Sequence, residues 1–112
     1  MKITEQTILD YERDGAVLIE GLCQDYVDLI RAGIKRNMDE PSSMASENLQ
    51  SGEPGRFFDD YCNWQRIPEF KTIVDQSPLA EAATDLMRSS NAQMFHDHFV
   101  RGRADWQFNW SK

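Results

Sequence analysis

The two histidines of the chain lie two residues apart, in the stretch Gln-Met-Phe-His-Asp-His-Phe-Val-Arg-Gly-Arg at positions 93–103. The aromatic and β-branched neighbours of His96 and His98 predict a strand. Successive strand residues point to opposite faces, so both imidazoles are expected on one face and Asp97 on the other. The face of the histidines also carries Met94 and Val100; the opposite face carries Gln93, Phe95, Phe99 and Arg101. The two imidazoles could therefore converge on one ligand.

Two histidines and one carboxylate form the ligand set of a class of non-haem iron sites. Because Asp97 is expected on the wrong face, another acid has to supply the carboxylate. The candidates are Asp59, Asp60 and Asp105. A metal needs at least three ligands held in place with supporting hydrogen bonds. The pattern favours the simpler interpretation, in which no metal is bound and both histidines are hydrogen-bonded residues of a half-buried strand. A metal site built on His96 and His98 is the alternative.

Other chemistry-bearing patterns are few. The adjacent acids Asp59-Asp60 could form a paired-carboxylate site, but acids in an aromatic loop are usually a solvated face or a helix-start signal. Arg101 and Arg103 could clamp a carboxylate, or they could keep an exposed edge strand soluble. The chain contains no glycine-rich dinucleotide fingerprint, no phosphate-binding loop and no Gly-x-Ser-x-Gly elbow.

Composition excludes several classes of protein. The 112 residues suffice for one domain or part of one, and 28% charged residues favour a soluble protein. A net charge of −7 disfavours binding to nucleic acid or to an anionic membrane. No apolar run is long enough to span a bilayer, and the first residues lack a signal-peptide pattern, so a cytoplasmic location is expected. Cys23 and Cys62 are isolated and are expected to be reduced thiols.

The first half of the chain predicts two helices and a strand. Thr4 is a helix N-cap, and Gly15 is suited to ending that helix after Asp14. The apolar run Ala16–Ile19 predicts a short buried strand. A second helix is expected from about Asp25 to Met38, with Val27, Ile30, Ile34 and Met38 on its apolar face. Residues 40–56 lack periodicity and are rich in Pro, Ser and Gly, which predicts a long loop.

The second half begins with a segment rich in aromatic residues, 57–64. Pro68 suits the first turn of a short helix, and Ser77-Pro78 suits the start of another. The inner face of the latter helix is predicted to carry Leu79, Ala82, Ala83, Leu86 and Met87. The polar residues 89–91 then end the helical pattern and lead into the histidine strand.

Four segments in this order resemble the N-terminal part of the phytanoyl-CoA dioxygenase family, over about residues 5–100. They are Asp14-Gly15-Ala16-Val17, the stretch Gly-Arg-Phe-Phe-Asp-Asp-Tyr-Cys-Asn-Trp-Gln-Arg-Ile-Pro-Glu at 55–69, Ser77-Pro78-Leu79-Ala80-Glu81, and Met94-Phe95-His96-Asp97-His98. The resemblance implies an Fe(II)- and 2-oxoglutarate-dependent oxygenase that hydroxylates a small organic substrate. It also implies that two positions, Arg56 and Phe99, lie near the co-substrate.

The chain departs from the family pattern after residue 100. The family places a Trp-His-x-Asp segment beyond this strand and a second ligand histidine far downstream. Here Trp106 is followed by Gln107 and Asn109 at the ligand positions, and neither amide is a good iron ligand. His96 and His98 match strand positions that line the pocket or pack beside it, so the resemblance assigns them no iron.

The combined expectation is an α+β chain, residues 1–112 forming a single partial domain. N-terminal helices pack on a few strands of an incomplete double-stranded β-helix, the jelly-roll fold of the family. The expected function is that of a truncated dioxygenase-like protein that is inactive by itself and binds neither Fe(II) nor 2-oxoglutarate. The alternatives are a non-catalytic homo-oligomeric interaction module and a metal-binding protein using His96 and His98.

Overall fold

The computed structural model of the chain describes residues 3–49, 52, 55 and 57–102. This part of the protein is α+β, as predicted. Its helices are α1 (Glu5–Asp14), α2 (Val27–Asp39), α3 (Pro68–Gln76) and α4 (Leu79–Leu86). Its strands are β1 (Ser46–Glu47), β2 (Phe58–Tyr61) and β3 (His98–Arg101), which form an antiparallel sheet in the order β1-β2-β3. None of the described helices is long and apolar enough to cross a membrane.

Local signals set the helix ends as predicted. The side chain of Thr4 accepts a hydrogen bond from the amide of Thr7, which caps α1. Gly15 ends α1 in the left-handed conformation with φ 77°, and its amide donates to the carbonyl of Tyr11. Pro68 occupies the first turn of α3. Helix α2 starts two residues later than predicted, because residues 24–26 form a 3₁₀ turn.

Helices α2 and α3 pack closely at Gly33. A Cβ atom at this position would lie 2.6 Å from Cε1 of Phe70, so only glycine permits the observed approach. At the edge of the contact, Arg36 of α2 forms a bidentate ion pair with Glu69 of α3. Ile73 of α3 is buried, so the contact combines apolar packing with a charged rim.

The predicted strand Ala16–Ile19 is wrong for the described part of the chain. These residues form no strand, and the side chain of Leu18 is 81% exposed. Val17 and Ile19 are half-buried and line a pocket together with Val27 and Ile30 of α2. The apolar run therefore faces α2 across this pocket, but no described strand lies along its backbone to complete a ladder.

Two further predictions need correction. The loop at 40–56 contains β1, and Ser42 is anchored to β2 by hydrogen bonds. In α4, Ala82 is buried as predicted, but Leu79 and Met87 are 45% and 54% exposed. Helix α4 packs on α1 and α3, and these neighbours cover only part of the apolar face that periodicity predicted.

Candidate functional site

The register of β2 and β3 decides which candidate side chains lie together. Tyr61 pairs with His98, and Asp59 pairs with Val100. Residues that oppose each other in a ladder share a face, and alternate residues change face. One face of the sheet therefore carries Asp59, Tyr61, His98 and Val100. The other face, which is directed toward α2, carries Phe58, Asp60, Phe99 and Arg101.

His98 is held on the outer face by an acid and an aromatic ring. Its Nε2 lies 3.1 Å from Oδ2 of Asp59, diagonally across the ladder. Its ring meets Tyr61 edge-on at 5.5 Å between centroids. The side-chain amide of Asn48 donates to the other oxygen of Asp59 at 3.1 Å. A carboxylate that holds one imidazole nitrogen leaves the second available for proton transfer, so this pair has the parts of an oriented base.

His96 does not share this arrangement. Strand β3 begins at His98, so the predicted alternation does not extend back to residue 96. The exposed ring of His96 instead meets Phe95 edge-on at 4.7 Å between centroids. Within the described ranges, no group of three or more His, Cys, Asp or Glu side chains is arranged to hold a metal ion.

Asp97 has a structural position. Its Oδ1 accepts hydrogen bonds at 2.9 Å from the backbone amides of Asn63 and Trp64. Its carbonyl accepts a third bond from the amide of Cys62, at 2.9 Å. Cys62 itself has φ 63°, a conformation that a non-glycine residue adopts in tight turns. Asp97 therefore connects the approach to β3 with the turn that follows β2.

Asp60 is a buried carboxylate surrounded by neutral donors. Its side chain is fully buried, and it accepts bonds from the amide and hydroxyl of Ser42, from Asn37 Nδ2 and from the amide of Tyr61, at 2.5–2.9 Å. Burial alone raises the pKa of Asp60, but the hydrogen bonds from Ser42, Asn37 and Asn63 outweigh burial and bring the pKa to about 2. One carboxylate thus joins α2, the segment after it and β2.

Asp59 and Asp60 do not form the paired-carboxylate site that was one interpretation of their sequence. Adjacent residues of β2 point to opposite faces, so Asp59 meets His98 outside while Asp60 is buried inside. Because side chains alternate between the two faces of a strand, the different burial of Asp59 and Asp60 could be predicted once β2 is identified as a strand. The partners Asn37 and Ser42 are distant in sequence, and no local signal indicates them.

Of the two positions predicted to lie near the co-substrate, Phe99 is among the described residues and Arg56 is not. Phe99 is half-buried on the inner face, where its ring lies 6.0 Å from the ring of Phe58. It lines a groove between α2 and β3 with a volume of about 540 Å³. Arg56 lies outside the described residues, as do Asp105 and Arg103. Arg101 is described, and its guanidinium donates to Sδ of Met38 at 3.4 Å.

The site therefore consists of a partly exposed His98–Asp59 pair on one face and a buried carboxylate network on the other. Comparisons of this chain with protein-family models, with curated proteins and with solved structures find no match.

Proposed function

We propose that this chain forms the front portion of a phytanoyl-CoA-dioxygenase-like fold, in which its helices support the first strands of a jelly roll. One observation carries the proposal: the two most specific segments of the resemblance lie side by side. Residues 58–61, from the aromatic segment, pair with residues 98–101, which begin at the last histidine of Phe-His-Asp-His. Helix α2 contacts one face of the sheet that these strands form, through Asn37 and Met38.

The described residues do not fit an Fe(II) centre, because no three potential ligands among them converge. This segment therefore has a supporting role and supplies no catalytic group. In a complete relative, the reaction is hydroxylation of a small organic substrate with Fe(II), 2-oxoglutarate and O2. The expected activity of the 112-residue chain alone is none. Phe99, and Arg56 by resemblance, are the positions proposed to lie near the co-substrate.

A chimera tests the proposal directly. Residues 5–100 would replace the corresponding segment of an active phytanoyl-CoA dioxygenase, and succinate formed from 2-oxoglutarate would be measured with added iron. We expect succinate from the chimera and none from the 112-residue chain. A soluble, helical chimera that forms no succinate would contradict the proposed fold, and stoichiometric succinate from the chain alone would contradict the supporting role.

A second candidate function is a homo-oligomeric interaction module. Exposed apolar side chains favour it: Leu18 is 81% exposed, Phe95 is 90% exposed and Val100 is 49% exposed. Strand β3 also lies at an edge of the described sheet, and an open edge can pair with another chain. Light scattering over a concentration series tests this function. A monomer at every concentration would contradict it.

A further inference from the structure

The groove between α2 and β3 combines an apolar floor with a cation. Ile34 and Met38 of α2 and Phe99 of β3 supply apolar lining. Arg101 lies at the end of β3, and among the described residues its guanidinium makes no ion pair. The remaining charges of this wall are largely compensated, since Lys35 binds Asp39 at 2.6 Å. The groove therefore fits an extended segment that carries an apolar side chain and a carboxylate.

Besides the apolar lining and the cation, the groove has a third feature that suits a polypeptide, the edge of strand β3. In the described sheet β3 pairs with β2 on one side only. An edge strand presents unpaired amide and carbonyl groups that an added strand can bind. A polypeptide in the groove would use the strand edge, the apolar floor and Arg101 together, whereas a small molecule would leave the edge open.

The chain itself contains a segment with this chemistry. Residues 16–20, Ala-Val-Leu-Ile-Glu, are rich in strand-forming residues but belong to no ladder in the part of the chain that is described. Val17 and Ile19 line a pocket together with Val27 and Ile30 of the chain's own α2. Residues 16–19 have no regular secondary structure and Glu20 begins a turn; in an added strand, the face opposite Val17 and Ile19 would carry Leu18 and Glu20. Both are exposed, and within the described ranges Glu20 makes no ion pair.

We propose that the occupant of the groove is a second copy of this chain, whose residues 16–20 add to the edge of β3 that has no partner strand in the described sheet. A parallel arrangement places Leu18 beside Phe99 and Glu20 beside Arg101, because both pairs are spaced by two residues on one face. The exchange is reciprocal, so the dimer has two-fold symmetry and two copies of each contact. This inference rests on the homo-oligomeric function and names its contact.

Charge reversal tests the pairing. Sedimentation velocity would compare wild type with Glu20→Arg and Arg101→Glu, using Lys71→Glu on α3 and Glu81→Arg on α4 as controls with the same charge changes. Each test variant places like charges at both contacts, and we expect its dimer dissociation constant to rise about tenfold or more. The controls are expected to dimerise as wild type does. Circular dichroism would verify the helix content of every variant.

Mixing the two test variants separates exchange between copies from other associations. In a mixed dimer each contact again joins Arg to Glu, so an equimolar mixture of Glu20→Arg and Arg101→Glu is expected to recover dimers that neither variant forms alone. Recovery supports the inference. If neither substitution changes the dimer dissociation constant, this contact is overturned but the homo-oligomeric function is not. A monomeric wild type would overturn the contact and the homo-oligomeric function together. Failure of the mixture to recover dimers would also overturn the contact.

Discussion

Replacement of Asp60 by asparagine should be the most damaging conservative substitution in the described sheet. The carboxylate accepts hydrogen bonds from Asn37, from Ser42 twice and from the amide of Tyr61. Asparagine offers one acceptor oxygen in place of two, and its amino group would face donors. A buried donor that loses its acceptor costs about 1–3 kcal/mol. We therefore expect Asp60→Asn to lower the free energy of unfolding by about 2–4 kcal/mol at pH 7.

The pKa of Asp60 sets the pH range of this contribution. A folded-state pKa of about 2 against an ordinary value of 3.8 corresponds to about 2 kcal/mol of stabilisation at neutral pH. Because the pKa is lower in the folded than in the unfolded protein, the stabilisation is complete above the unfolded value. It is lost as the pH falls from about 4 to about 2. The stability difference between wild type and Asp60→Asn should shrink over that range.

Urea unfolding followed by tryptophan fluorescence, at pH 7 and at intervals down to pH 2, measures both effects. Asp59→Asn is the matched control, because Asp59 is the neighbouring residue of β2 and lies on the half-exposed face beside His98. We expect the control to cost less than about 1 kcal/mol. Equal losses from the two substitutions, or a difference between wild type and Asp60→Asn that does not change with pH, would refute the assignment of the buried network.

Three other substitutions test the packing around the sheet, each by its free energy of unfolding in urea. Gly33→Ala should cost about 1–2 kcal/mol despite the higher helix propensity of alanine, because the added methyl group overlaps Phe70; an increase in stability would mean that the ring moves aside freely. Arg36→Gln should lower the free energy of unfolding at pH 7 and low salt and lower it less in high salt, since it removes the bidentate partner of Glu69. Asp97→Ala should cost about 1–2 kcal/mol by freeing two backbone amides of the turn after β2, and an unchanged stability would show that water replaces the carboxylate.

The helices illustrate what sequence alone determines. Thr4 and Gly15 mark the ends of α1, and Pro68 marks the start of α3, as the structure confirms. Helical hydrogen bonds join residues four apart, so the capping residues and apolar periodicity that define a helix all lie within one short segment of sequence. They can therefore be identified without knowledge of the tertiary structure. The α+β class follows from the same signals. The resemblance to a dioxygenase family comes from sequence too, and it stays a proposal.

The strands and the site illustrate what only tertiary structure decides. Ala16–Ile19 has the composition of a strand but finds no ladder partner in the described part of the chain. His96 and His98 share a sequence motif, yet only His98 enters β3 and meets Asp59. A strand exists only where a distant segment supplies its hydrogen bonds, and the face of each side chain follows from that pairing. Residue types therefore identified the candidate site residues, and the pairing of distant strands determined which of these side chains lie together.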